Sequence, residues 1–273
     1  MAPRLLSLKG WTPDGMVGIV TGAGSGIGRA LTTALRAGGA TVHGTDLSGS
    51  AGVSVLDVTD RAAVAAAVES VVAEHGRIDF ICNNAGIAIG GDTEDISGEH
   101  WDRIVDINVG GVINGVLAAY PQMVRQGHGR IISTASLAGI GPAPLLTPYS
   151  MTKHAVVGMS HSLRIEARVH GVGVHVICPG VIETPLLDTR GPADLPDVMG
   201  GYDFRRYLTS LTGRPMPADR LAAYVLAGIN KDHATIVAPA SARAVWRLGR
   251  LSPGLLERAT RSRVAAERKH SRR

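Results

Sequence analysis

The stretch MVGIVTGAGSGIG, residues 16–28, sets an apolar run against a loop in which every second residue is glycine. The run Met16–Thr21 predicts a buried strand, and the residues from Ile27 to Ala37 carry helical spacing closed by Gly38-Gly39. A glycine loop between a buried strand and a helix directs free N–H groups and the positive end of the helix dipole at one point, where a phosphate can sit. The general dinucleotide loop reads G-x-G-x-x-G, yet counting from Gly22 its third glycine falls on Ile27. The glycines instead spell G-x-x-x-G-x-G through Gly22, Gly26 and Gly28, with Gly24 as an extra. A tight turn without a ligand is the alternative reading of this loop.

Outward from the loop, apolar strand-like runs alternate with longer helical patterns, as in a doubly wound parallel sheet. Strands are predicted at 16–21, 41–46, 53–58, 79–86, 129–136, 172–180 and 234–239. Helices are predicted at 27–37, from a cap at Asp60 to His75, at 100–126 and at 149–170. The expected architecture is a single α/β Rossmann-type domain of about seven strands with helices on both faces. Residues 1–14 read as an N-terminal extension, 15–240 as the Rossmann-type domain and 241–273 as a basic helical tail. Only LSGSAG, residues 47–52, links the second and third strands, although a parallel crossover usually takes a dozen residues or more. Either that crossover is cut down to a tight loop, or one of the two strands is misplaced.

The chain has 273 residues, 45% of them hydrophobic but only 4% aromatic, so its core must be aliphatic. Cys82 and Cys178 both sit in strand-like runs and read as buried free thiols of a reducing compartment. No signal-peptide pattern or uninterrupted membrane span is evident, and a cytoplasmic location is expected. The net charge of +5 is unevenly placed: Arg243 to the C-terminus carries ten basic and two acidic residues, against 18 and 21 in the preceding 242. A basic patch on the folded domain, as a nucleic-acid reader carries, is not indicated. The tail has an apolar stripe of Trp246, Leu248, Leu255, Leu256 and Ala259 among arginines, broken at Ser252-Pro253. It can pack on the folded domain or a sister subunit, remain solvated, or touch a membrane surface.

Three further features carry chemistry. Asp46 ends the second strand 18 residues after Gly28, where a carboxylate can accept hydrogen bonds from an adenosine ribose and repel a 2′-phosphate. Such an Asp is also a common solvated strand end. Tyr149 and Lys153 are four apart and so share a helix face, and Ser136 closes the strand before that helix. No H-E-x-x-H, C-x-x-C or G-x-S-x-G occurs, and no metal site is expected.

With TGAGSGIG (21–28), LDV (56–58), NNAG (83–86), Asn108 in DINVGG, Ser136 in STAS, YSMTK (149–153) and PGVIET (179–184), the chain resembles the short-chain dehydrogenase/reductase family over about residues 15–240. The resemblance implies an oxidoreductase that moves a hydride between NAD(H) and an apolar secondary alcohol or ketone; the alternatives are an NADP-dependent carbonyl reductase of the same fold and a catalytically idle NAD(H)-binding regulatory protein. Tyr149 is then the acid/base, its phenolate favoured by Lys153 and the cofactor's positive ring, and Lys153 also holds the nicotinamide ribose. Ser136 binds the substrate oxygen, and Asn108 holds a water that links Lys153 to solvent. Cofactor contacts are implied for Gly22, Ser25, Gly26, Ile27, Gly28, Asp46, Asp57, Val58, Asn83, Ala85, Gly86, Tyr149, Lys153, Pro179, Gly180, Ile182 and Thr184. Ser25, neutral where NADP-preferring relatives often carry a basic residue, agrees with Asp46 in favouring NAD. The implied assembly is a homodimer or homotetramer. Substrate contacts are expected from 87–91, 137–146 and the lid-like stretch 185–217, with Leu145, Leu146, Leu186, Leu187, Met199, Tyr202, Phe204 and Leu211 suiting an apolar alcohol or ketone.

Overall fold

The computed structural model describes residues 8–189 and 191–271, so the start of the N-terminal extension falls outside it, as does the Leu211 side chain. Seven strands form one all-parallel sheet in the order β3-β2-β1-β4-β5-β6-β9. In chain order they are β1 (Val17–Thr21), β2 (Thr41–Asp46), β3 (Val53–Val55), β4 (Phe80–Asn83), β5 (Gly129–Thr134), β6 (Val172–Pro179) and, after a two-residue pair β7 (Ile182–Glu183) and β8 (Met216–Pro217), β9 (Thr235–Ala238). Every residue of β1, β4, β5 and β6 is buried, as expected of strands covered on both faces.

The helices close both faces. On one side α1 (Gly26–Ala37) and α7 (Ala218–Asn230) bury Leu31, Leu35, Leu221 and Val225 against Val20, Phe80 and Ile177. On the other, α2 (Arg61–His75), α4 (Gly111–Gln126) and α5 (Thr147–Ala167) bury Val68, Val71, Ala119, Met123 and Ala167 against Ile19, Ile81 and Ile131. Asp60 caps α2 as expected, its Oδ1 accepting the Ala63 N–H at 3.0 Å. Pro148 occupies the first turn of α5, where its missing N–H costs nothing. The remaining helices are α3 (Gly98–Val105), α6 (Phe204–Thr212), α8 (Ala240–Leu251) and α9 (Pro253–Ser271), the last two meeting at the expected break.

Three expectations change and one open point is resolved. The third strand ends at Val55, so Asp57 lies beyond it, in a turn where its Oδ1 accepts from the Thr59 N–H and hydroxyl at 2.8 Å. The fourth strand stops at Asn83, because the N–H groups of Asn84 and Ala85 leave the ladder and donate to Thr21 Oγ1 at 3.0 Å. The helix expected over 100–126 starts at Gly98 and is broken by a π-helical turn at Asp106–Gly110. By length and composition Gly98–Gln126 could cross a membrane, since it holds an 18-residue window of mean hydropathy 1.3, but Ile104, Val112, Ala119 and Met123 are buried in the protein. Finally, β2 and β3 are both real: residues 47–52 form a tight loop with a Ser50–Val53 bridge, and β3 returns parallel to β2.

The strand order reverses between β1 and β4. In an open parallel sheet the C-terminal ends at such a point splay into a crevice, which is where ligands bind. The glycine loop after β1 and the NNAG turn after β4 meet there.

Candidate active site

A cavity of about 750 Å³ opens at that crevice. Its first wall is backbone. Gly22, Ser25, Gly26 and Ile27 border it, and the first turn of α1 presents N–H groups with no intrahelical partner. Gly22 has φ +66°, which favours glycine, and a Cβ there would lie 2.9 Å from Ala85 Cα. Gly28 stands behind the loop: a Cβ on it would meet the Gly22 carbonyl oxygen at 2.0 Å. Gly28 therefore lets helix and loop close on each other and does not border the cavity.

Asp46, at the tip of β2, turns its carboxylate to this loop, where Oδ2 accepts the Gly24 N–H at 2.9 Å. Thr45 beside it is buried and Leu47 is exposed, so neither neighbour brings a positive charge. Leu56, Asp57 and Val58 complete this end of the cavity.

Of the paired asparagines, the structure gives the work to the one not singled out. Asn83 is buried on the far side of β4, where a Cβ on Gly115 would come within 1.9 Å of its Oδ1, and it does not border the cavity. Asn84 does, with Ala85 and Gly86. Its Nδ2 donates to the Thr21 carbonyl at 3.0 Å and its Oδ1 accepts from Thr134 Oγ1 at 3.1 Å, tying together the ends of β1, β4 and β5. Strand alternation carries the signal for this, since residues 83 and 84 face opposite ways.

The chemical groups gather at the centre. Ser136, just past β5, accepts the Ala138 N–H on Oγ at 3.1 Å and turns its own hydrogen toward Tyr149. Tyr149 and Lys153 project from α5, one turn apart, with Nζ 5.5 Å from the phenol ring centre. Lys153 Nζ donates to the Thr134 carbonyl at 3.0 Å. Asn108 sits in the π-helical turn, fully buried behind Gly86. Its side chain accepts from Ile87 N–H at 2.9 Å and donates to the Ile87 carbonyl at 3.0 Å and Thr152 Oγ1 at 3.1 Å. Asn108 thus holds the loop after β4, at Ile87, to α5, and does not border the cavity.

The electrostatics differ from expectation. Burial raises the Tyr149 phenol above the usual tyrosine value, and the Ser136 hydroxyl bonded to it pulls part of the way back. Burial also pushes Lys153 down to about 8. Desolvation outweighs that hydrogen bond, so without cofactor Tyr149 keeps its proton at neutral pH.

The far half is apolar. Ile87, Ala88 and Gly90, residues 137–138, 140–143 and 146, and Leu186, Leu187, Met199 and Phe204 border it. Leu145 and Tyr202 instead pack into the cluster behind it, with Tyr202 donating to Asp92 at 2.5 Å. The tail supplies a wall: Trp246 and Leu248 from α8, and Leu256, Ala259, Thr260 and Arg263 from α9. Leu256, Thr260 and Arg263 lie on one helix face by their spacing, a signal present in the sequence. Arg206 and Glu267 at 2.5 Å, and Arg268 with Asp92, fasten α9 down. Leu255 faces solvent.

The family model for short chain dehydrogenase matches residues 16–194. The probable oxidoreductase EphD of Mycobacterium tuberculosis is 34% identical over 94% of this chain and 46% of its own. The chain thus spans about half the length of that relative. The putative oxidoreductase SadH of the same organism is 33% identical over 92% of this chain and 96% of its own. A short-chain dehydrogenase/reductase from Burkholderia phymatum, solved in complex with NAD, is 27% identical with a TM-score of 0.78, covering 90% of this chain and 96% of its own.

Proposed function

The chain belongs to the short-chain dehydrogenase family, and from that premise we propose that it interconverts an apolar secondary alcohol and its ketone with NAD(H), using Tyr149 as the acid/base. As a member of the family it is an oxidoreductase with a nicotinamide cofactor; the preference for NAD, the substrate class and the residue roles are our reading. One observation carries the preference: the Asp46 carboxylate, held on the Gly24 N–H, faces the loop that would cradle the phosphates. A 2′-phosphate there would meet a like charge at close range, with no Arg or Lys beside it. The Burkholderia phymatum relative, crystallised with NAD, agrees with this reading.

The residues present fit the cofactor. Gly22 and Gly26 leave space where a Cβ would crowd Ala85 and Thr184, and Ile182, Thr184, Pro179 and Gly180 border the cavity beyond them. When bound, the nicotinamide supplies or accepts the hydride. In the reducing direction Ser136 donates its hydroxyl hydrogen to the substrate carbonyl in place of Tyr149, and Tyr149, protonated in its buried setting, passes its proton to the same oxygen. Lys153, anchored on Thr134, keeps two further N–H donors for the ribose and for returning protons to Tyr149. Asn108 positions this group by locking the π-helical turn to Thr152. The oxidising direction reverses these transfers.

Exposed Ile113 and Leu117 on α4 and Met151 and Ile165 on α5 support assembly into a homodimer or homotetramer. The test of the cofactor reading is fluorescence titration. NADH should bind about tenfold or more tighter than NADPH, and Asp46→Arg should level or reverse the ratio. Equal affinities in the unmodified protein would overturn the assignment.

A further inference from the structure

His43 lies on β2, three residues before Asp46, and His75 ends α2, 32 residues further on. The fold brings their rings edge to face, with centres 5.2 Å apart and planes at 63°. Their two Nε2 atoms approach to 3.0 Å, and Glu74 Oε1 stands 3.4 Å from His75 Nε2. All three donor atoms lie within 4.8 Å of one another. In a tetrahedral zinc site, Zn–N and Zn–O distances of about 2.0–2.1 Å place neighbouring donors roughly 3.3 Å apart.

From this geometry we propose that His43, Glu74 and His75 form a divalent transition-metal site, selective for zinc-like ions, on the sheet's flank and separate from the cofactor cavity. Two imidazoles and one carboxylate are a nitrogen-rich donor set that suits Zn²⁺, Co²⁺, Ni²⁺ or Cu²⁺ better than Mg²⁺ or Ca²⁺. A hydrogen bond between the histidines uses only part of this arrangement. One Nε2–H can serve the facing Nε2, but it then points away from Glu74, whose oxygen still faces the same spot. A cation at that spot satisfies all three lone pairs; both rings then carry hydrogen on Nδ1, and any Nε2 proton moves to Nδ1 or to solvent.

The surroundings favour a cation. Glu74 and His75 occupy the last turn of α2, whose C-terminal end carries the negative end of the helix dipole. Arg36 is the positive group nearby, and its Nη2 is held on the Val42 and Gly52 carbonyls at 2.7 and 3.2 Å. The His75 side chain is 22% exposed and Glu74 62%, so a fourth position is open to water and the ion has a way in. The bound ion would tie β2, the strand that ends in Asp46, to the end of α2. The histidines are too far apart in sequence to form a motif, which is why no metal site is expected from the sequence.

The test is titration of untagged, full-length protein with Zn²⁺ alone, followed by calorimetry and thermal melting. One Zn²⁺ per chain should bind saturably and raise Tm by about 5 °C at a hundredfold excess over Kd. His43→Ala and His75→Gln, each checked for native circular dichroism, should abolish binding, and Glu74→Gln should weaken it. His161→Ala, on another face, should leave it unchanged. Co²⁺ should give visible d–d absorption that is lost in the same two variants. Absence of saturable uptake, or uptake that survives both His43→Ala and His75→Gln, would overturn the proposal.

Discussion

The half of the cavity beside the glycine loop is walled by main chain, whereas the far half is walled by side chains from loops and the C-terminal helices. In the first, Gly22, Gly26 and Gly28 are fixed by what a single Cβ would strike, and Asp46 is fixed by one backbone N–H. In the second, Leu146, Met199, Phe204, Trp246 and Leu256 need only be apolar and of fitting volume. Tight backbone geometry admits few residues and so leaves a motif. Apolar packing admits many and leaves none.

The largest expected effect lies where the halves meet. Tyr149→Phe removes the transferable proton while preserving ring packing, and should lower kcat about 10³-fold with NADH affinity unchanged. Steady-state rates and a fluorescence titration check both parts.

A probe of the backbone wall comes next. Gly28→Ala drives a Cβ into the Gly22 carbonyl oxygen and should cost about 3 kcal/mol, read by urea unfolding, with weakened cofactor binding. A variant as stable as the parent would show that the glycine loop is less constrained than described.

The shared scaffold gives a pH signature. His175, on buried β6, donates its Nδ1–H to the His233 carbonyl at 2.7 Å, and burial holds its pKa down to about 4. The unfolded chain takes up a proton below the ordinary value of about 6.5, while the folded chain does not. Stability is therefore full above that value and falls as pH drops from about 6.5 to 4, by roughly 2–3 kcal/mol. Urea unfolding across this range checks the slope, and His175→Gln should flatten it.

The smallest effect belongs to the side-chain wall. Leu256→Asp should raise KM for a long apolar substrate about tenfold, with kcat and NADH affinity unchanged. Unaltered KM across substrates of increasing length would remove α9 from the substrate site.

The same contrast governs how far the sequence could be read. The alternation of strands and helices, the glycine loop, Asp46 and the Ser136, Tyr149, Lys153 group follow from spacing, because each rests on period or on close approach. Asn83 and Asn84 were not separable by motif, since only the facing of residues at the end of β4 distinguishes them. The π-helical turn at Asp106–Gly110 is invisible to helical periodicity, as is the inward role of Asn108 that it creates. The rise in the Tyr149 pKa could not be anticipated either, because it depends on how deeply Phe204, Leu146 and their neighbours bury the phenol. The α9 stripe was legible as apolar spacing, but the cavity it faces was not.

The central claim is that this cavity runs NAD-linked chemistry on apolar secondary alcohols through Tyr149. Its most direct test is NADH absorbance during incubation of the unmodified protein and Tyr149→Phe with NAD⁺ and a panel of such alcohols. The account predicts NADH production that favours apolar members of the panel and is lost in Tyr149→Phe. Undiminished production in Tyr149→Phe, or none from any alcohol while NADH binding is intact, would contradict it.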